Sequence, residues 1–427
     1  MRILFVCHRM PYPPSDGARV RAFHIIRHLA RRHEVTVAAP ARSAAEHAAA
    51  DALREHCRAV LTETIVPAAA LARMVKNLAT ATPSSMGYFA SPALVAKIRE
   101  AHAATPFEMV FVYCSSVAPY VDGLAGAVKV IDFVDMDSQK WRVYADAHRF
   151  PLSLGYWLEG SKLQRAETAI ARAFDLCLCV TPGELATLRS FGVETAAGWF
   201  PNGVDLDYFA PGPEPYDPDA LCFVGRMDYF PNQQAAIAFC REVLPKVREA
   251  RPAASFTIVG AEPPRAVRAL ARQPGVQVTG TVADVRTFVR RSAVSVAPLR
   301  IARGVQNKIL EAMAMGVPVV ASPETAKGVD AIPGEHLIVA AGAEAMAAAV
   351  IRLLADRNER ARIARAARAH VEQAYSWEGA MRQLDALLAP LLAPAPGRTG
   401  PLPNGPLPGQ APVTVPGRER VTARQPV

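Results

Sequence analysis

The chain has 427 residues, 51% of them apolar and 20% charged, enough for two or three domains with large cores. Its formal charge of +9 is spread thinly, +2 over residues 1–209, +4 over 210–392 and +3 over 393–427, which excludes the concentrated basic face of a nucleic-acid binder. Seven cysteines without CxxC or zinc spacing exclude a disulfide framework and suit a reducing compartment. No run reaches the roughly 20 apolar residues of a membrane span, and the opening ILFVC is too short for a secretory core, so a cytoplasmic protein is expected.

Arg2 to Cys7 (RILFVC) reads as a buried strand, followed by a loop with three prolines, HRMPYPPSDG. Arg19 to Arg32 reads as a helix with Val20, Phe23, Ile26 or Ile25, and Leu29 on an apolar stripe, beside Arg19, Arg21, Arg27, Arg31 and Arg32. Val35 to Ala39 is the next strand, and a strand–loop–helix–strand unit predicts a parallel α/β sheet. The loop is not GxGxxG, which disfavours a nicotinamide or flavin site. Gly17 is where the backbone can come close to a ligand, or it is a helix-entry glycine after Asp16.

Met109–Tyr113 and Val128–Val134 are strand-like, and Asp135 and Asp137 follow the second at its carboxyl end, where ligands of open α/β sheets sit. Asp135 is therefore a candidate for catalytic work. Ser138 could instead cap a helix from Gln139 with Asp137 in its first turn, and Asp135-x-Asp137 also has the form of a minimal metal-binding DxD. Leu158–Ala173 reads as a helix, Leu176–Val180 as a strand and Glu184–Ser190 as a short helix. The stretch WFPNGVDLDYFAP, with its Asn202-Gly203 turn, reads as a connection.

The second half restarts the rhythm, with strands at Ala220–Val224, Ser255–Val259, Val276–Thr279 and Val294–Ala297 and helices at Asn232–Ala250, Arg265–Arg272 and Asp284–Arg291. Gly225-Arg226 and Gly260 stand at strand ends on the ligand side. Arg226 suits a diphosphate, or else snorkels over the sheet edge. Pro298 to Ser322 then reads as loop, helix, stop at Gly316 and buried strand. At 3.6 residues per turn Gly304, Lys308 and Glu311 share one face, while Val305, Ile309 and Met313 face the core. The entrance residues Arg303, Gly304, Val305, Gln306 and Asn307 offer free N–H groups to an anion. Lys308 adds a cation a turn deeper, and Glu311 a carboxylate for sugar hydroxyls. That layout suits a nucleoside diphosphate; the competing reading is a surface Lys–Glu pair. Two helices within Ala343–Ala374 and a last one to about Leu392 precede a Pro- and Gly-rich tail expected to be disordered.

The PPSDG loop, the PNGVDLDYF junction, the VGRM turn and KILEAMAMGVPVVAS together resemble the family 4 group of retaining GT-B-fold glycosyltransferases, from residue 1 to about 392. VDMDSQKW and MDYFPNQQA further resemble a branch associated with bacterial exopolysaccharide clusters. The resemblance implies an α/β fold of two Rossmann-like parallel-sheet domains facing a cleft. Residues 1–205 would bind the acceptor and 206–375 the nucleotide sugar, with 376–392 a helix crossing back to the first domain and 393–427 the tail. The donor would be a nucleotide-diphosphate sugar, with no cofactor and no metal, and the acceptor a glycan or a lipid-diphosphate-linked sugar. Glu311 falls on the second glutamate of the family's Glu-(seven residues)-Glu motif, which holds the ribose. Arg226 falls on the arginine that meets the diphosphate, and Gly17 on the glycine loop that approaches the phosphates.

Three positions depart from the pattern. Arg303 replaces the first glutamate of that motif, MDYFPNQ lacks the lysine expected after the Gly-Arg turn, and Asp135 stands where the family often has histidine. Lys308 could supply the missing charge, so that Arg226, Lys308 and the helix entrance stabilise the leaving diphosphate. Two alternatives remain: a sugar-nucleotide epimerase on the same scaffold, or a non-catalytic sugar-nucleotide-binding subunit. The arginines of the first helix also suggest peripheral attachment to an anionic inner leaflet.

Overall fold

The computed structural model describes residues 1–14, 17–213, 215–302 and 304–392. Arg303 and the tail expected to be disordered lie outside the described residues. Parallel pairing needs long crossovers between strands, and apolar strands so joined are buried on both faces. The chain does this twice.

The first sheet holds β1 (Arg2–Cys7), β2 (Glu34–Ala41), β3 (Ala59–Thr64), β4 (Met109–Tyr113), β5 (Val128–Val134), β6 (Leu176–Cys179) and β7 (Ala197–Trp199), in the order β3-β2-β1-β4-β5-β6-β7. Helix α1 (Gly17–Leu29) starts two residues before the expected Arg19 and ends before Arg32, burying Phe23, Ile25, Ile26 and Leu29. Helix α2 (Pro67–Leu78) buries only Ala70. After β5 come α3 (Asp137–Ala147) and α4 (Leu152–Ala173), which pack closely at Gly160: a Cβ there would stand 3.0 Å from the Ser138 carbonyl.

The second sheet holds β8 (Asp217–Val224), β9 (Ser255–Val259), β10 (Val276–Val278), β11 (Ser292–Ala297), β12 (Val319–Ala321) and β13 (Ile338–Val339), in the order β10-β9-β8-β11-β12-β13. The expected helix 232–250 is α5 (Phe230–Ala238) continued through a π turn, Phe239–Val243, into Leu244–Ala250. Pro245 has no N–H and crowds the turn before it, and the ladder widens there. The expected helix 284–291 is Arg286–Arg290, because Asp284 accepts the Arg286 N–H at 2.9 Å. After β11, helix α6 (Asn307–Ala314) leads to β12.

The last helix, α7 (Trp377–Leu392), returns to the first domain. Its Trp377, Met381, Leu384, Leu388 and Leu391 share one core with Phe5, Ile25, Ile26 and Phe200. The two chain crossings run side by side, with Val204 N–H donating to the Tyr375 carbonyl at 2.7 Å. Gly203 is obligatory there, since a Cβ would come within 2.5 Å of the Trp377 ring.

Candidate functional site

The carboxyl end of β5 is strained. Its register against β6 shifts between Asp132 and Val134, and Val134 has φ +64°, a conformation β-branched residues rarely take. Asp132 holds this bulge. One carboxylate oxygen accepts the Val134 N–H at 3.0 Å and the other the Arg21 Nε at 2.8 Å, with both side chains wholly buried. Arg21 also lies 3.7 Å over the Phe200 ring and donates to the Phe200 carbonyl and to Asn202 Oδ1, at 3.1 and 3.0 Å. Asn202 in turn donates to Asn307 Oδ1 at 3.0 Å. A buried chain of contacts therefore runs from the first sheet to the first residue of α6. Arg21, expected on an exposed basic face, is its centre.

Beyond the bulge, Asp135 lies against Gly304, which has φ +61°; a Cβ at Gly304 would overlap the carboxylate, and a Cβ at Gly328 would overlap the Gly304 carbonyl. Gly304 is thus a loop residue gripped from both sides, off the helical face expected for it, because α6 starts only at Asn307. Gly17 faces the same point: a Cβ there would stand 3.0 Å from Asn307 Nδ2. Val305 packs half-buried on the second core, and Gln306 is the residue before α6, with no side-chain cap.

Ser138 is not the helix cap. Helix α3 starts at Asp137, the Glu167 carboxylate accepts the Ser138 N–H at 3.0 Å and the Glu184 carboxylate accepts the Met136 N–H at 2.8 Å. Burial raises Asp137 above the usual carboxylate range and pushes Glu167 up to about 8. Sequence reasoning missed both buried glutamates. Glu167 sits in a run of Ala, Arg and Glu that reads as a solvated helix. Among the described residues no group of three acids, histidines or cysteines is placed to hold a metal ion.

The second domain contributes a packed unit around Lys308. Its Nζ donates to Asn232 Oδ1 at 2.7 Å and lies 4.8 Å from the Phe223 ring centre. Asn232 Nδ2 donates to the Arg226 carbonyl at 2.8 Å, and a Cβ at Gly225 would stand 2.7 Å from that Nδ2. A Cβ at Gly260 would overlap the Gly225 carbonyl. Both glycines are therefore needed for the ends of β8 and β9 to meet α5 and α6. Asn232 is not singled out by the sequence, although it lies in the first turn of the helix that follows the Gly-Arg turn.

Burial pushes Lys308 down to about 7 and Glu311 up to about 7, each shift eased by the other's charge. Among the described residues no hydrogen bond or close ion pair joins them. The surface Lys–Glu pair is not what fixes these side chains. Arg226 is half-exposed, with Asp228 at 2.8 Å and Glu262 at 3.1 Å. The arrangement sets an under-protonated lysine, an arginine and a glycine-lined surface at the carboxyl ends of β8 and β9. Gly17, Asp135 and Asn307 close on it from the domain boundary.

Two family models match the chain: Glycosyltransferase Family 4 over residues 15–208 and Glycosyl transferases group 1 over residues 218–356. No curated protein matches its sequence. Among solved structures, Anabaena Alr3699/HepE in complex with UDP superposes with a TM-score of 0.67 at 17% identity, over 91% of this chain and 100% of that one. Sucrose-phosphate synthase from Thermosynechococcus elongatus gives 0.68 at 19%, over 92% and 99%. A putative UDP-N-acetylglucosamine 2-epimerase from Listeria monocytogenes gives 0.53 at 15%, over 92% and 96%. Both sheets, the returning helix and the two matched models make the chain a glycosyltransferase of the GT-B fold, its first part similar to the Family 4 model and its second to the group 1 model.

Proposed function

We propose that the protein moves a sugar from a nucleotide-diphosphate sugar to a glycan or lipid-linked acceptor, with retention of configuration, in building a cell-surface polysaccharide. The observation that carries the donor half is Lys308, half-buried at the first turn of α6 beside Asn232 and the Gly225-Arg226 turn. A diphosphate arriving there restores the lysine's charge, and Arg226 exchanges its acidic partners for phosphate oxygens. Together they stabilise the charge that builds on the leaving group. Glu311, a turn deeper, takes the ribose hydroxyls. Asp135 and Gly17 meet the donor from the first domain. The likeness of VDMDSQKW and MDYFPNQQA to exopolysaccharide transferases supports the polymer assignment, and Alr3699/HepE was solved with UDP. The reaction needs no metal, so activity should survive EDTA; activity restored only by added manganese or magnesium would assign Asp135 and Asp137 to a metal instead.

A thermal-shift panel of UDP-, GDP- and ADP-sugars tests the donor half, followed by turnover with candidate acceptors. Donor incubated alone separates transfer from epimerisation, since only an epimerase changes the sugar without an acceptor.

We also place the protein at an anionic membrane surface, on a different face from α1. No described helix is long and apolar enough to cross a membrane. Leu71, Val75 and Leu78 of α2, spaced i, i+4, i+7, are 58–70% exposed. Phe150, Leu152, Leu154 and Trp157 stand exposed around the start of α4. Lys162 joins the two helices by donating to the carbonyls of Asn77 and Leu78, at 2.8 and 3.0 Å. Within 66–79 and 149–166 the only acid, Glu159, is buried, while Lys76, Arg149 and Arg165 are exposed. An apolar surface edged by cations fits an anionic leaflet.

A further inference from the structure

The first domain carries a second cationic site. His8 and Arg9 follow β1, and Arg42 follows β2. These are the carboxyl ends of neighbouring parallel strands, the edge on which open α/β sheets bind ligands. Arg19 rises beside them from the first turn of α1. Among the described residues the Nε of Arg9, the Nε and Nη2 of Arg42 and the Nδ1 of His8 are buried without a hydrogen-bond partner. Among the described residues Glu46 is a nearby carboxylate that is already committed: it accepts from Arg19 at 3.1 Å and from the Arg42 backbone N–H at 2.8 Å.

An aromatic wall shapes the site. The Arg42 guanidinium lies 5.3 Å from the Phe89 ring centre and 5.4 Å from that of Tyr88. His8 lies 5.4 Å from Phe89 and 6.0 Å from Tyr113. Burial, with Arg9 and Arg42 next in effect, pushes His8 down to about 3, so it is neutral at physiological pH. Lys140 acts on His8 as well, and its Nζ reaches to 5.8 Å from the ring of Tyr229 in the second domain. The cluster therefore lies on the side of the first sheet that faces the other domain.

Guanidinium groups crowded together, with N–H groups of Arg9 and Arg42 buried and unused, are costly until an anion completes them. Guanidinium forks match phosphoryl oxygens in pairs. We propose that His8, Arg9 and Arg42, flanked by Arg19, form a subsite for a phosphoryl group on the acceptor. The inference rests on the transferase reading, which assigns the donor to the second domain and leaves the acceptor to the first. The subsite would hold the acceptor's anionic end while its sugar hydroxyl meets the donor.

The test is calorimetric titration of inorganic pyrophosphate into protein whose donor site is filled with saturating nucleoside diphosphate. Wild type should bind it, and Arg9→Gln/Arg42→Gln should lose at least tenfold in pyrophosphate affinity with nucleotide affinity unchanged. If the double variant melts early, single Arg9→Gln and Arg42→Gln variants are read the same way. Pyrophosphate affinity equal to wild type in these variants, or no binding to the nucleotide-filled wild type, overturns the subsite. Lys308→Ala is run in parallel: nucleotide affinity unchanged there sinks the donor reading alone. A short-chain prenyl diphosphate that binds more tightly than pyrophosphate supports the subsite with a lipid-linked acceptor, and equal binding supports it with a soluble sugar phosphate.

Discussion

Asn202 and Asn307 meet across the domain boundary at 3.0 Å, and Asn202 is itself fixed by Arg21, which also holds Asp132 and the Phe200 carbonyl. The position of the helix that carries Lys308 is thus coupled to a buried ion pair in the other domain. Arg21→Ala leaves Asp132 buried and uncompensated, which costs about 3–5 kcal/mol, and thermal unfolding should fall accordingly. Asn202→Ala removes only the link. It should melt within a few degrees of wild type yet lose nucleotide affinity severalfold by calorimetry. Unchanged affinity would mean that α6 is positioned without this link.

Lys308→Ala and Arg226→Ala should each weaken nucleoside-diphosphate binding by about 1.5–3 kcal/mol, roughly 10- to 150-fold, as for other hydrogen bonds to charged groups. Two variants that both bind as tightly as wild type would remove the phosphate assignment. Glu311→Gln should lower nucleotide affinity with little change in melting temperature. A large stability loss at constant affinity would make Glu311 structural.

Donor binding should also move protons, with a sign that depends on pH. Lys308 is depressed to about 7, so above pH 7 it is mostly neutral in the free protein, and an arriving diphosphate makes it take up a proton. Glu311 is raised to about 7, so below pH 7 it is mostly protonated, and hydrogen bonds from ribose hydroxyls favour its ionised form and release a proton. Calorimetry in buffers of different ionisation enthalpy should show net uptake at pH 8 and net release at pH 6. The lysine's depression also costs stability below pH 7 and progressively less as pH rises toward its ordinary value of 10.5. Lys308→Met should remove the uptake at pH 8.

Gly304→Ala meets two obstacles, a positive φ and the Asp135 carboxylate. Turnover should fall sharply. Adding Asp135→Gly to Gly304→Ala relieves the overlap but not the backbone cost of about 1–2 kcal/mol. Stability of the double variant should therefore recover only in part relative to the single one.

In sedimentation with vesicles, wild type should bind anionic lipid at low salt and release at high salt. Leu71→Gln/Val75→Gln/Leu78→Gln should abolish that binding while leaving nucleotide affinity intact. Equal binding by this variant would move the contact to another face, and the absence of wild-type binding would end the membrane assignment.

The sheets were legible because a parallel strand buried on both faces is a mostly apolar run: Arg2–Cys7, Met109–Tyr113 and Ser255–Val259 end where their apolar residues end, and Val128–Val134 keeps that form although Lys129 and Asp132 interrupt it. The helix carrying Lys308 and Glu311 was legible from its spacing and its glycine stop. Side chains whose surroundings come from distant segments were not. Arg21 looks like its neighbours Arg19 and Arg27 in the sequence, and its partners Asp132, Phe200 and Asn202 all lie more than a hundred residues away. Glu167 and Glu184 are hidden for the same reason, since they serve backbone N–H groups at the start of α3, a segment that neither adjoins in the sequence. Gly304 was placed on a helical face because the sequence gives no sign that the helix waits until Asn307.

The paired crossings at Val204 and Tyr375 imply that the gene cannot be divided where the two sheets divide. A fragment ending near residue 209 would leave Phe5, Ile25 and Phe200 without the apolar side of Trp377–Leu392, and should aggregate when expressed alone. Co-expressed with a second fragment running to Leu392, it should be captured and solubilised. Shortening that second fragment to Ser376 should abolish the rescue, even though the second sheet would then be complete.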